Sequence, residues 1–203
     1  MTFEGRQIAC VRGERSIFTN LDFQLEPGQV LVLRGPNGAG KSSLLRIAAT
    51  LLKPAGGELS WQGRNVLDDP EGHRSRLHFI GHQDAVKGAL TVRENIATWA
   101  EIRGAAVDRI DIALATFGIE HLADTPAQYL SAGQHRRTAL ARLVASPAEL
   151  WLLDEPTVSL DDAGAACLRD AVAAHREGGG MAMAATHIEL GLDDVGILHL
   201  AAT

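Results

Sequence analysis

Over the first forty residues, apolar positions either alternate with polar ones or run together in short blocks. QIACVR is followed by IFTNLDFQL with rough alternation, a turn at Pro27-Gly28, and then QVLVLR. Alternation and short apolar runs bounded by turn residues predict strands. After Lys41 the spacing lengthens: in SSLLRIAATLL, residues Leu44, Leu45, Ala48, Leu51 and Leu52 form one helical face. Lys53-Pro54-Ala55-Gly56-Gly57 ends that helix, and GELSW and LHFIG predict two further strands. From Thr91 to Ser146 the pattern is helical, with breaks near Gly104 and around Thr125-Pro126. Strand patterns return at LWLLD (Leu150 to Asp154), MAMAAT (Met181 to Thr186) and GILHL. No repeat, low-complexity tract or flexible linker interrupts the chain. The expectation is an α/β fold in a single domain, residues 1–203. It has an N-terminal antiparallel β region and an inserted helical lobe at approximately residues 88–147.

Composition narrows the class without naming it. The 203 residues suffice for one domain with a full core. Nineteen Lys and Arg against 25 Asp and Glu leave a net charge of −6, so no global basic field points to nucleic acid or anionic lipid. No apolar run approaches the roughly 20 residues that span a bilayer, and MTFEGRQIACVRGE has no secretory apolar core. Cys10 and Cys167 stand alone, without metal or redox spacing, and read as partly buried thiols in a reducing cytoplasm.

Three segments carry chemistry. Gly35-Pro36-Asn37-Gly38-Ala39-Gly40-Lys41-Ser42 has the phosphate-loop pattern, following a predicted strand and opening a helix. The context defines a P-loop NTPase core. The backbone N–H groups from Asn37 through Gly38, Ala39 and Gly40 to Ser43 would wrap around phosphates. Lys41 would neutralise the β- and γ-phosphates of ATP, and Ser42 would ligate Mg²⁺. The apolar strand LWLLD ends in Asp154 and Glu155, at the strand edge where parallel sheets bind ligands. Asp154 suits a partner for metal-bound water, and Glu155 a general base acting on the attacking water. Gln83, ending LHFIGHQ, is placed to reach Mg²⁺ or that water. His187, following MAMAAT, is placed to donate to the γ-phosphate and its transition state. The other seven histidines, His82 included, read as structural.

The third segment, Leu130-Ser131-Ala132-Gly133-Gln134, opens a basic helix with Ser131 as its cap. Its amides seek an anion, yet the phosphate loop lies about ninety residues earlier. Taken in order, GPNGAGKS, Gln83, LSAGQ, LWLLDE, Ser159-Leu160-Asp161 and His187 resemble the nucleotide-binding domain of an ABC ATPase over essentially the whole chain. In that family the signature turn serves a neighbour. The resemblance implies a homodimer with composite ATP sites, in which Ser131, Gly133 and Gln134 of one copy cap the γ-phosphate held by Lys41 of the other. It also implies that Asp161 lies along the interface.

Two positions depart from the family pattern. Ala132 stands where glycine is usual, so tight turning is expected to fall to Gly133. Arg12 stands where an aromatic platform for adenine is usual, and a guanidinium stacks on a base with less discrimination.

FIGHQDAVKGALTVREN, YLSAGQHRR and the short C-terminus are similar to a narrower group, the ATP-binding subunits of the haem exporter of cytochrome c maturation. That similarity implies integral membrane partner subunits and a peripheral position on the cytoplasmic face of the inner membrane. It further implies ATP turnover tied to release of a haem-loaded chaperone, with no direct haem contact and no nucleic acid. Asp84 to Thr91 would form much of the groove for a membrane subunit's coupling helix. The weaker alternatives are a transporter of another small substrate, a soluble ABC-type protein acting on ribosomes or DNA, and a small-molecule P-loop kinase. The kinase leaves LSAGQ unexplained.

Overall fold

The computed structural model describes residues 1–187 and 190–201. An antiparallel hairpin, β1 (Phe3–Arg12) and β2 (Arg15–Leu25), pairs through β1 with β4 (Gly56–Trp61), which in turn carries the two-residue β5 (Arg64–Asn65). A second, parallel sheet has the order β6 (Leu77–Ile80), β7 (Leu150–Asp154), β8 (Met181–Ala185), β3 (Val30–Arg34), β9 (Gly196–His199).

The parallel strands read as unbroken apolar runs because both faces are buried. Leu31, Leu33, Leu150, Leu152, Met181 and Met183 join the antiparallel sheet and α1 (Lys41–Ala48) in one core. Their alternates Val30, Val32, Trp151, Leu153, Ala182 and Ala184 face a second core. That core is completed by α3 (Val92–Ile102), α4 (Asp108–Thr116), α5 (Ala132–Ala145) and α6 (Asp162–Glu177). The short α2 (Pro70–Ser75), capped by the Asp69 carboxylate, was not visible in the apolar pattern.

The helix after Lys41 is shorter than its pattern suggests. Thr50 takes φ 55°, and the N–H groups of Thr50 and Leu51 bond back to the carbonyls of Ile47 and Arg46. This Schellman-type ending stops the helix at Ala48. Leu51 is consequently 55% exposed rather than part of the buried face. The break near Gly104 separates α3 from α4, with Gly104 at φ 62°.

His78 on β6 is buried, its Nε2 bonded to the Ser146 carbonyl (2.8 Å) and near the Ser146 hydroxyl (3.0 Å). Burial, and next the Arg103 charge, lower its pKa to about 3. Burial also lowers the pKa values of His73 and His175. The unfolded chain, with histidine near 6.5, takes up protons below that pH that the folded chain refuses. Stability is therefore full above about pH 6.5 and lost as pH falls toward 3, by up to about 1.4 kcal/mol per pH unit for His78. Urea midpoints should drop between pH 7 and pH 5, and His78→Gln should flatten that slope whatever its effect on the midpoint at pH 7. An unchanged slope would remove His78 as a source of acid sensitivity.

Candidate functional site

Strand order builds the site. The chain leaves β3 into the phosphate loop, β8 into Thr186-His187, and β7 into Glu155; these three strands are adjacent. β6, next to β7, delivers Gly81 to Gln83 at the same edge. In parallel strands all these carboxyl ends point one way, so residues far apart in sequence converge.

Gly40 shows why the loop needs glycine. It takes φ 98° directly before α1, and a Cβ there would sit 2.6–2.8 Å from Ile17 and Phe18 of β2. The β1–β2 hairpin thus closes against the loop. Ala39 is buried, while Asn37 and Gly38 are exposed. Lys41 Nζ donates to the carbonyls of Gly35 (2.7 Å) and Pro36 (3.2 Å) and lies 3.3 Å from His187 Nε2. His187 Nε2 is in turn 3.4 Å from Glu155 Oε1. The Ser42 hydroxyl donates to Asp154 Oδ1 at 2.9 Å. Lys41, His187 and Glu155 therefore form one chain of contacts, spanning 146 positions of sequence between Lys41 and His187, with the Ser42–Asp154 pair adjoining it through the neighbouring residues of the backbone.

Other expected residues lie around it. Ser43 is buried and shares a hydrogen bond with Cys10, so its side chain faces inward and only its backbone N–H suits a phosphate. Burial pushes the Cys10 thiol pKa up, against that bond. Arg12 is exposed at the end of β1, two residues beyond Cys10, on the hairpin that closes over the loop. Gln83 is exposed, as is His82.

The signature turn stands apart from this cluster. Ser131 caps α5 and forms a capping box: its hydroxyl accepts from the Gln134 N–H (3.3 Å), and the Gln134 side chain accepts from the Ser131 N–H (2.9 Å). Gly133 does not supply the tight turn expected of it. Among the described residues it is absent from the positive-φ positions; a Cβ there would lie 2.9 Å from the Ser159 carbonyl. The glycine is needed for close approach, and the extended Leu130 and Ser131 make the turn. Ser131, Gly133, Gln134, His121, Ser159 and Asp161 border a cleft of about 460 Å³ that includes no phosphate-loop residue. Asp161 accepts from Arg137 and caps α6 through the Gly164 N–H (2.9 Å). The Arg137 bond, then the Gly164 bond, lower the carboxyl pKa.

Arg136 and Arg137 were missed from sequence, and Asp84, expected only in the groove for a membrane subunit, is also the ion-pair partner of Arg136. Arg136 is 3% exposed and bonds to Gly81, Asp84 and residues 154–156. Its signal was an arginine in helical register with Leu140 and Leu143, which are buried.

A phosphate loop, two carboxylates at an adjacent strand end, a histidine after the next strand and a separate capped signature turn define an ABC-type ATPase, an ATP-hydrolysing subunit of a transport complex. The sequence profile of the family described as ABC transporter matches residues 18–158, and the chain belongs to that family. It is 52% identical over 198 residues to a protein of Rhodospirillum rubrum named cytochrome c biogenesis ATP-binding export protein CcmA, covering 98% of this chain and 85% of that one. It is 50% identical over 203 residues to the protein of the same name from Paramagnetospirillum magneticum, covering 98% and 94%. Among solved structures, an ATP-binding subunit of an ABC transporter shares the fold with a TM-score of 0.88 at 21% identity, covering 100% of this chain and 88% of that one. A dimeric ATP-binding cassette in a post-hydrolysis state bound to ADP and Pi shares it with a TM-score of 0.85 at 24% identity, covering 98% and 96%.

Proposed function

We propose that this chain hydrolyses ATP for a membrane complex of c-type cytochrome biogenesis, where turnover drives haem export or release of a haem-loaded chaperone. The observation carrying the catalytic reading is the Lys41–His187–Glu155 cluster beside the Ser42–Asp154 pair. The assignment to cytochrome c biogenesis rests on likeness over nearly the whole chain to relatives of that name.

Lys41 neutralises phosphate charge, and the backbone amides from Asn37 to Ser43 bind the β- and γ-phosphate oxygens. Glu155 takes the proton of the attacking water as it approaches the γ-phosphate. His187, 3.4 Å from Glu155 and 3.3 Å from Lys41, donates to the charge developing on the phosphoryl oxygens. The Ser42 hydroxyl, Asp154 and the Gln83 amide are hard oxygen donors suited to Mg²⁺, and the 2.9 Å Ser42–Asp154 contact places two of them together. The ion supplies charge neutralisation when bound. Ser131, Gly133 and Gln134 complete the site of a second copy, and Arg12 takes the adenine. Residues 84–91 and the lobe at about 88–147 face the membrane subunits on the cytoplasmic side. No helix among the described residues is long and apolar enough to cross a membrane.

Deletion of this protein in its source organism should abolish holo c-type cytochromes and spare b-type ones, whose haem is not covalently attached. Haem staining of denaturing gels reads only covalent haem and tests this directly. Normal c-type staining would end the cytochrome reading and leave the ATPase one standing.

A further inference from the structure

Arg136 is a buried cation with every donor in use. Its guanidinium has five N–H groups. Nε donates to the Pro156 carbonyl (3.2 Å), and Nη2 to the carbonyls of Asp154 (3.2 Å) and Glu155 (2.9 Å). Nη1 donates to the Gly81 carbonyl (3.1 Å) and to Asp84 Oδ1. The Asp84 carboxylate also takes His135 Nδ1 at 3.2 Å. Burying an arginine costs several kcal/mol in desolvation unless it is paired and bonded this fully, and a leucine would fill such a helix face at lower cost.

What the arginine holds is unusual. Three of its acceptors are consecutive carbonyls, on the segment where the chain leaves β7 and turns through Glu155 at φ 46°. A non-glycine residue in that region carries strain of about 1–3 kcal/mol and persists only where its surroundings over-determine it. The Glu155 N–H is fixed by the Ala185 carbonyl (2.8 Å), and its own carbonyl by Arg136 and the Val158 N–H (3.3 Å). The backbone conformation that aims the Glu155 carboxylate at His187 thus depends on Arg136. The remaining two acceptors belong to the loop after β6, which also carries Gln83.

We propose that Arg136 is a positioning residue for ATP hydrolysis: it sets the backbone of Glu155 and makes that setting depend on the Gly81–Asp84 loop. Movement of the loop alters the aim of the carboxylate without disturbing the phosphate loop. The inference rests on the reading of Glu155 as the residue that activates water. Lysine has three donors and no planar fork, so Arg136→Lys keeps the charge and loses the simultaneous hold on both segments.

The test measures kcat, KM, ATP-binding stoichiometry and melting temperature for the full chain carrying Arg136→Lys, Asp84→Asn, both, or Glu155→Gln. Arg136→Lys should bind ATP at wild-type stoichiometry, hold KM within about twofold and lose about tenfold or more in kcat, since small misplacements of catalytic groups cost that much. Asp84→Asn should lower kcat in the same way, and the double variant should be no slower than Arg136→Lys. A normal kcat in Arg136→Lys, or a loss matched by an equal loss of binding sites, would overturn the proposal. Additive losses in the double variant would also overturn it. If Arg136→Lys does not fold, a normal kcat in Asp84→Asn overturns it. An active Glu155→Gln would remove the underlying reading of Glu155, and this inference with it. An inactive Glu155→Gln beside normal Arg136→Lys and Asp84→Asn sinks this inference alone.

Discussion

Glu155→Gln should bind ATP with unchanged affinity and turn it over about 10²-fold more slowly or worse, the usual size of a lost general base. The substitution keeps the side chain's size and removes its charge. Glu155 lies outside the phosphate loop, and its backbone is held by Ala185 and Arg136 whichever side chain is present. The amide still lies near His187 but can no longer take a proton from water. ATP then outlasts the encounter of two copies, so the variant should run as a dimer on sizing columns with ATP and Mg²⁺, and as a monomer without them. Near-normal hydrolysis would remove Glu155 from the catalytic role.

Lys41→Ala and Ser131→Arg should each abolish activity alone and partly restore it when mixed. The first loses the ammonium that neutralises the phosphates. The second puts a bulky cation where, on the proposed reading, the partner's γ-phosphate docks, at a helix-capping cost of about 0.5–2 kcal/mol that melting curves would register. On the proposed composite-site reading both lesions of a heterodimer fall in one site, because Lys41 of one copy would face Ser131 of the other. The opposite site is intact. Random exchange makes half the dimers mixed, so about a quarter of all composite sites are intact. Activity should reach roughly that share if sites fire independently; if they must fire together, intact sites still bind ATP at that share. Full activity of Ser131→Arg alone would reduce the turn to a capped helix. Its separation from the phosphate loop within one chain motivates the experiment: the cleft bordered by Ser131, Gly133 and Gln134 includes no phosphate-loop residue.

Most strands, and the residues at strand ends that the structure brings together, were legible because their signals are local. LWLLD reads as a buried strand from composition alone, and the phosphate loop declares itself through glycine spacing before a lysine and serine. Errors arose where local signals compete with backbone chemistry. Leu51 and Leu52 continue a helical stripe, but Thr50 in the left-handed region ends the helix first. Gly133 looked like a turn residue because glycine permits positive φ. Its other property, the missing Cβ, is what the Ser159 carbonyl requires.

By itself, the sequence determined the α/β class, the phosphate-loop motif, the acidic end of a buried strand and the presence of a second capped helix start at Ser131. Each depends on residues within a few positions of one another, where periodicity, capping and turn preferences act. Only the tertiary structure decided that Lys41, Glu155 and His187 meet, since adjacency of β7, β8 and β3 is a matter of strand order. It also decided what Arg136 does. Helical register with Leu140 and Leu143 marks Arg136 as inward-facing but does not say what its guanidinium bonds. Its five acceptors come from two loops at the ends of β6 and β7, which only long-range pairing brings to its side.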